Sequence, residues 1–176
     1  MALDLSEFKL GESDEIIQVG SSEEVAEATL DIAQKACRSL NIFTQALDNR
    51  VYNNQALYDA VLKLATHSRH SLVRILSNDS TNVVKRGNRL VELSYRISSR
   101  VQIRKPAMEY QEENREFVIA DKHGLLQRRI ANRYEGDLCF NGAMNVRQLQ
   151  KFFDDCWEHS AADPELRRLH LSKRPG

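Results

Sequence analysis

Small and apolar positions recur at helical spacing in Val25, Ala28, Thr29, Ile32, Ala33 and Ala36, which predicts an amphipathic helix near 22–38 with one buried stripe. Ser21, with Glu24 three residues on, supplies a capping box at its start. A short strand, Glu15–Gly20, precedes it, and Leu40–Gln45 follows as a strand rich in strand formers. After the loop Asp48–Asn53, capped by Asn53 or Asn54, the spacing of Leu57, Ala60, Val61, Leu64 and Ala65 predicts a second helix to about residue 67. Leu72–Leu76 is a strand, a third helix runs from about 81 to 99, and Val101–Arg104 is a further strand.

Beyond Pro106 the pattern changes. Residues 107–115 form an exposed polar connection, and Phe117–Asp121 is a buried type of strand. Lys122-His123-Gly124 turns it into Leu125–Arg128, a hairpin with Gly in the turn. Tyr134–Phe140 adds a strand with Gly136 as its bulge, and Asn145 caps a last helix lined by Val146, Leu149, Phe152, Phe153, Cys156 and Trp157. Helices separating the early strands imply right-handed crossovers and parallel pairing, whereas the later hairpin is antiparallel. The expected fold class is α/β, with a mixed, largely parallel sheet flanked by helices. The expected boundaries are a flexible acidic tail at 1–14, one domain at 15–160 and a C-terminal tail at 161–176.

Composition narrows the class further. Hydrophobic residues make up 41% and charged residues 28% of 176, which suits one globular domain and excludes wholesale disorder. No apolar run approaches the roughly 20 residues of a membrane span, and the opening residues lack a basic and apolar secretory signal, so no membrane association is expected. Cys37, Cys139 and Cys156 are odd in number and widely spaced, as expected of reduced thiols in a cytoplasmic protein. Neither a metal nor a cofactor is expected from the residue spacings.

The net charge is zero, yet it is unevenly spread. Residues 1–31 carry nine acids against Lys9, whereas residues 63–105 carry ten bases against Asp79 and Glu92. Such polarity fits either an anion-binding surface or an acidic segment lying over a basic one.

The order of elements over residues 22–159 resembles one half of the phospholipase D-like superfamily. The likeness is carried by Asn41–Gln45, Val73–Leu76, Phe117–Asp121 and the Phe152-Phe153-Asp154-Asp155-Cys156-Trp157 segment. That family places a His-x-Lys-x4-Asp motif on the central hairpin strand. Here the matching residues are Asn114, Glu116 and Asp121. An amide nitrogen is delocalised into its carbonyl and cannot attack phosphorus as imidazole does. A carboxylate in the lysine position repels phosphate instead of stabilising its charge. No catalytic role is therefore carried over, and the resemblance implies a catalytically degenerate binding or regulatory module. It also implies a homodimer and, in place of chemistry, a protein partner or an accessory role beside another enzyme domain. The alternatives are a phosphodiesterase or nuclease with a remade site, and a nucleic-acid-binding protein.

The ends of parallel strands collect ligands in open α/β sheets. Candidate ligand-binding residues are accordingly Arg50, Tyr52 and Asn53 from the early loop, with His123, Arg128 and Arg129 from the hairpin. His67 with His70, and Glu112, Glu113 and Glu116, are weaker metal pairings. On a helical wheel Lys85, Arg89, Arg96 and Arg100 share one sector, Glu92 among them, as a ridge suited to a phosphate backbone.

Overall fold

The computed structural model describes residues 2–173 of the chain. Strand β1 (Ile16–Val19) and helix α1 (Ser22–Lys35) lead to β2 (Ser39–Thr44), α2 (Asn49–Tyr52), α3 (Gln55–His67) and β3 (Leu72–Ser77). Helices α4 (Thr81–Arg86) and α5 (Arg89–Arg96) follow, then β4 (Val101–Arg104) and a 3-10 turn at Met108–Tyr110. The chain continues through β5 (Glu116–Ala120), β6 (Gly124–Arg128), β7 (Gly136–Cys139), α6 (Ala143–Glu158) and α7 (Pro164–Lys173).

The seven strands form one mixed sheet in the order β1-β7-β6-β5-β2-β3-β4. Helical crossovers make β2, β3 and β4 parallel to one another. The remaining four pairings are antiparallel, including β2 with β5, so the sheet is mixed as expected but its parallel part is confined to β2, β3 and β4 and is not the larger share. Alternation along each central strand divides the core. Ile42, Ile75, Val118 and Leu126 pack with α1, α3 and α5, whereas Phe43, Leu76, Phe117, Ile119 and Leu125 pack under α6 with Phe153 and Trp157. Both faces of β5 are thereby covered, which is why Glu116–Ala120 is buried throughout. Phe43 and Phe117 stack at 5.3 Å, and burying each such ring stabilises by about 1.5–3 kcal/mol.

Several boundaries differ from the sequence expectation. The third helix is two helices, because Gly87 takes φ +76° and Asn88 caps α5 through the Leu90 and Val91 amides. Helix α6 begins at Ala143 with Gly142 at its cap, so Asn145 lies in its first turn and does not cap it. Gly136 keeps regular register opposite Arg128 and makes no bulge; a Cβ there would stand 2.5 Å from the Gln127 carbonyl oxygen. Ser21 caps α1 as expected, but Glu24 reaches back to the Gly20 amide and not to Ser21.

The expected tails are packed where they are described. Leu5 is buried, Phe8 stacks on Phe140 at 5.7 Å, and the Gly11 amide donates to the Phe140 carbonyl. At the other end, buried Leu166 anchors α7, and its carbonyl accepts the Tyr95 hydroxyl at 2.7 Å. Met1 and residues 174–176, parts of the expected tails, lie outside the described residues.

Candidate functional site

Where β2 ends at Thr44, the start of β5 and the end of β6 bring Glu116 and Arg128 face to face across the antiparallel ladder. Glu116 is 4% exposed and Arg128 3%, and their charged groups form an ion pair. The other Glu116 oxygen, Oε1, accepts from the Thr44 hydroxyl and the Gln45 amide, both at 2.8 Å. Arg128 Nη1 donates to the carbonyls of Ala131 and Arg133 at 3.3 and 2.8 Å. Buried charges persist only when paired and hydrogen-bonded in this way.

Aromatic side chains wall the pair in. The Arg128 guanidinium lies 5.5 Å from the Tyr134 ring centre. The Tyr134 hydroxyl donates to Asp48 Oδ2 at 2.6 Å, while Asp48 Oδ1 caps α2 through the Arg50 amide at 2.9 Å. The bond to Asp48, then burial, pushes the Tyr134 phenol above its ordinary pKa; nearby Arg50 works in the opposite direction. Tyr52 is buried, and burial raises its phenol while the charge of Arg128 opposes the shift. Leu47, fully buried at φ +49°, holds the intervening loop in a conformation that L-residues rarely adopt.

Of the residues expected in a cleft, Arg50, Tyr52, Glu116 and Arg128 do converge here. Asn114 is exposed just before β5, and its main-chain carbonyl accepts the Ala131 amide at 2.8 Å. Asn53 turns away: its Oδ1 accepts the Arg89 amide at 3.0 Å at the start of α5. Arg129 points to the opposite face of β6 from Arg128 and is exposed. There it borders a hollow of about 380 Å³ with Gln127, Ile130 and Arg133.

Asp121 and His123 lie elsewhere, which corrects their assignment to one site with Glu116. Asp121 is five residues beyond Glu116, about 16 Å along the strand. Its carboxylate accepts the amides of Cys37, Arg38 and Ser39 at 2.8, 2.7 and 3.0 Å, joining the hairpin turn to the start of β2. His123 is exposed in the same turn, its ring against Gly11. Among the described residues, no three His, Cys, Asp or Glu side chains converge as metal ligands.

Sequence reasoning placed Asp48 in the cleft with the rest of the Asp48–Asn53 loop, but missed Thr44 and Tyr134. The central ion pair itself was within reach, since Glu116 and Arg128 are equidistant from Lys122 in a hairpin turning there.

The acidic N-terminal segment does not cover the basic helices. It lies along α1 and β7: the Leu3 amide donates to Glu27, Lys35 to the Leu5 carbonyl, and Asn141 to Asp14. With Gly87 interrupting the third helix, Lys85 belongs to α4 and Arg89 and Arg96 to α5, so the expected single-helix ridge is instead built from two helices and the turn after them.

Residues 21–169 match the family described as Domain of unknown function (DUF7931). No curated protein matches the chain. Among solved structures, it is similar to the archaeal chromatin protein TrmBL2, at 14% identity and TM-score 0.61, over 84% of this chain and 54% of that one. The chain thus spans about half the length of TrmBL2. It is also similar to Nuc of Salmonella typhimurium, a phospholipase D family member, at 12% identity and TM-score 0.57, over 85% of this chain and 96% of that one. NucT from Helicobacter pylori matches at 12% identity and TM-score 0.55, over 85% and 100%. At these identities the likeness is one of fold, and the fold is phospholipase D-like.

Proposed function

This chain belongs to the DUF7931 family, and we propose that it is a phospholipase D-like domain that has lost phosphodiester chemistry and works as a binding or regulatory module. One observation carries the reading: Glu116, at the position of the phosphate-binding lysine, is consumed in a buried ion pair with Arg128. Neither charge is free to meet a phosphate, and the surrounding hydrogen bonds bind the pair to its own backbone. Asn114, at the nucleophile position, offers an amide where attack on phosphorus needs an imidazole. A homodimer and a protein partner belong to the same proposal.

The test is hydrolysis of bis-(p-nitrophenyl) phosphate by the purified chain, with and without divalent metal. The expected rate equals buffer alone. Turnover that disappears in Asn114→Ala or Arg50→Ala would instead establish an enzyme with a remade site.

A second reading, nucleic-acid binding without cleavage, is favoured by the exposed bases of α4 and α5, which the acidic segment leaves uncovered. TrmBL2, described as binding DNA by a novel mode, shares this fold and supports the reading by analogy alone. Retention of a labelled oligonucleotide, lost on raising salt, tests it.

A further inference from the structure

We propose that the seam between α3 and α5, and not the cleft around Glu116, is a docking surface for the phosphate backbone of duplex nucleic acid. This rests on the nucleic-acid reading above and assigns it a place.

Three arginines line the seam, each tethered to α3 or the turn after it. Arg89 donates to the Gln55 side chain, Arg96 to the Tyr58 hydroxyl at 3.1 Å, and Arg100 to the Ser68 carbonyl. The tethers run from the first residue of α3 to the residue after its end, about 20 Å of helix. Each guanidinium has five N–H donors. Each of the three donates to the protein through Nη1, which holds the side chain in place and leaves its other N–H groups for a ligand. Holding the rotamers in advance lowers the entropic cost of meeting a ligand.

Charge agrees with geometry. Lys85 and Arg86 are exposed at the end of the adjoining α4, and α7, which packs against α4, adds Arg167 and Lys173. Among the described residues, none of Lys85, Arg86, Arg89, Arg96 and Arg100 forms an ion pair. Glu92 is the acid within the row, and Lys173 lies 3.8 Å from it. The acidic N-terminal segment packs over α1 and the β6 and β7 strands, at least four strand spacings, about 19 Å, from the β4 edge. A neutral protein with its charge so divided presents the basic edge to a polyanion and orients it during approach. The ring at the centre of the seam, Tyr58, is half-buried and its hydroxyl accepts from Arg96, while the exposed rings of His67 and His70 sit at the Ser68 end; a row of arginines with so little stacking surface along it favours a duplex over a single strand.

Fluorescence anisotropy with a labelled duplex of about 20 base pairs, longer than the seam, at roughly 50 and 200 mM salt, tests the assignment. The full chain is expected to bind. R89Q/R96Q/R100Q, checked for folding by circular dichroism, is expected to weaken binding at least about tenfold and to flatten the log–log salt slope by roughly 2–3. E92Q, which leaves every arginine tether in place, is expected to tighten it. No binding to duplex or single strand at low salt overturns both the reading and the assignment, as does attachment to anionic vesicles without binding to DNA. Binding untouched by the triple variant or by E92Q, but lost in R50Q/R129Q, keeps the reading and overturns the assignment.

Discussion

Glu116 and Arg128 stand opposite each other on neighbouring antiparallel strands, and the carboxylate and guanidinium meet in an ion pair with about 4% of either residue exposed. The strands put the pair in register, and Thr44, Gln45, Ala131 and Arg133 complete its hydrogen bonds. On the function proposed above, the protein's own charges fill the position where a phosphate would otherwise bind.

Removing one partner strands the other in a low-dielectric site. Glu116→Ala or Arg128→Ala should each cost about 3–5 kcal/mol, whereas replacing both by methionine should cost much less. Urea unfolding of the single and double variants measures this. A double variant as unstable as the sum of its singles would show that the two side chains are not coupled.

On the proposed reading, installing phospholipase D-type residues should not create chemistry. Asn114→His supplies an imidazole, but Glu116→Lys then buries an ammonium against Arg128 in place of a neutralised pair. N114H/E116K should hydrolyse bis-(p-nitrophenyl) phosphate no faster than buffer, and E116K should unfold at lower urea than Glu116→Ala. A stable, active double variant would refute the view that Arg128 is what holds this pocket shut.

Much of this arrangement could be read in the sequence, and the exceptions have particular causes. Strand β4 was legible to the residue, because Val101–Arg104 is bounded by a helix end and Pro106. The break at Gly87 was hidden by the wheel, which assumes a continuous helix; Asn88 next to it was the overlooked cap. Helix α2 has four residues, too few to show a period. Leu3, Leu5, Phe8 and Leu10 are interspersed among acids, and the charge masked an apolar side that packs on the core. The burial of Glu116 could not be foreseen from composition, since it follows from Arg128 arriving across the hairpin.

Asp121 has a structural role. Three backbone amides converge on it, so Asp121→Ala should cost about 2–3 kcal/mol. Asp121→Asn keeps one acceptor and should cost less. Neither should alter duplex binding at the α3–α5 seam. Denaturation and anisotropy on the same preparations separate the two effects.

Gly136 has no room for a side chain. A Cβ would approach Gln127 O to 2.5 Å and Arg128 Cγ to 2.9 Å, so Gly136→Ala must part β7 from β6. The expected loss is about 2 kcal/mol or more, with faster amide exchange at Leu126 and Leu138, whose strands pair there. Exchange unchanged at these positions would contradict the close approach.

Alkaline pH should release α7 before the rest of the fold. The Tyr95 hydroxyl donates to the Leu166 carbonyl at 2.7 Å, and burial, with the nearby charge of Asp163, pushes the phenol up to about 12. The folded state therefore holds this proton more tightly than the unfolded chain, whose tyrosine titrates near its usual 10. Stability from this contact is complete below pH 10 and falls as pH rises toward 12. The Tyr52, Tyr110 and Tyr134 phenols and the Cys156 thiol are shifted in the same direction, so a global pH profile sums all five groups. Tyr95→Phe isolates the contribution: it should lower stability by about 0.5–1.5 kcal/mol at neutral pH and shrink the loss between pH 10 and 12. Limited proteolysis within Pro164–Lys173, followed as pH is raised, reports the helix directly. Cleavage that begins at the same pH in wild type and Tyr95→Phe would mean that this hydrogen bond does not hold α7 in place.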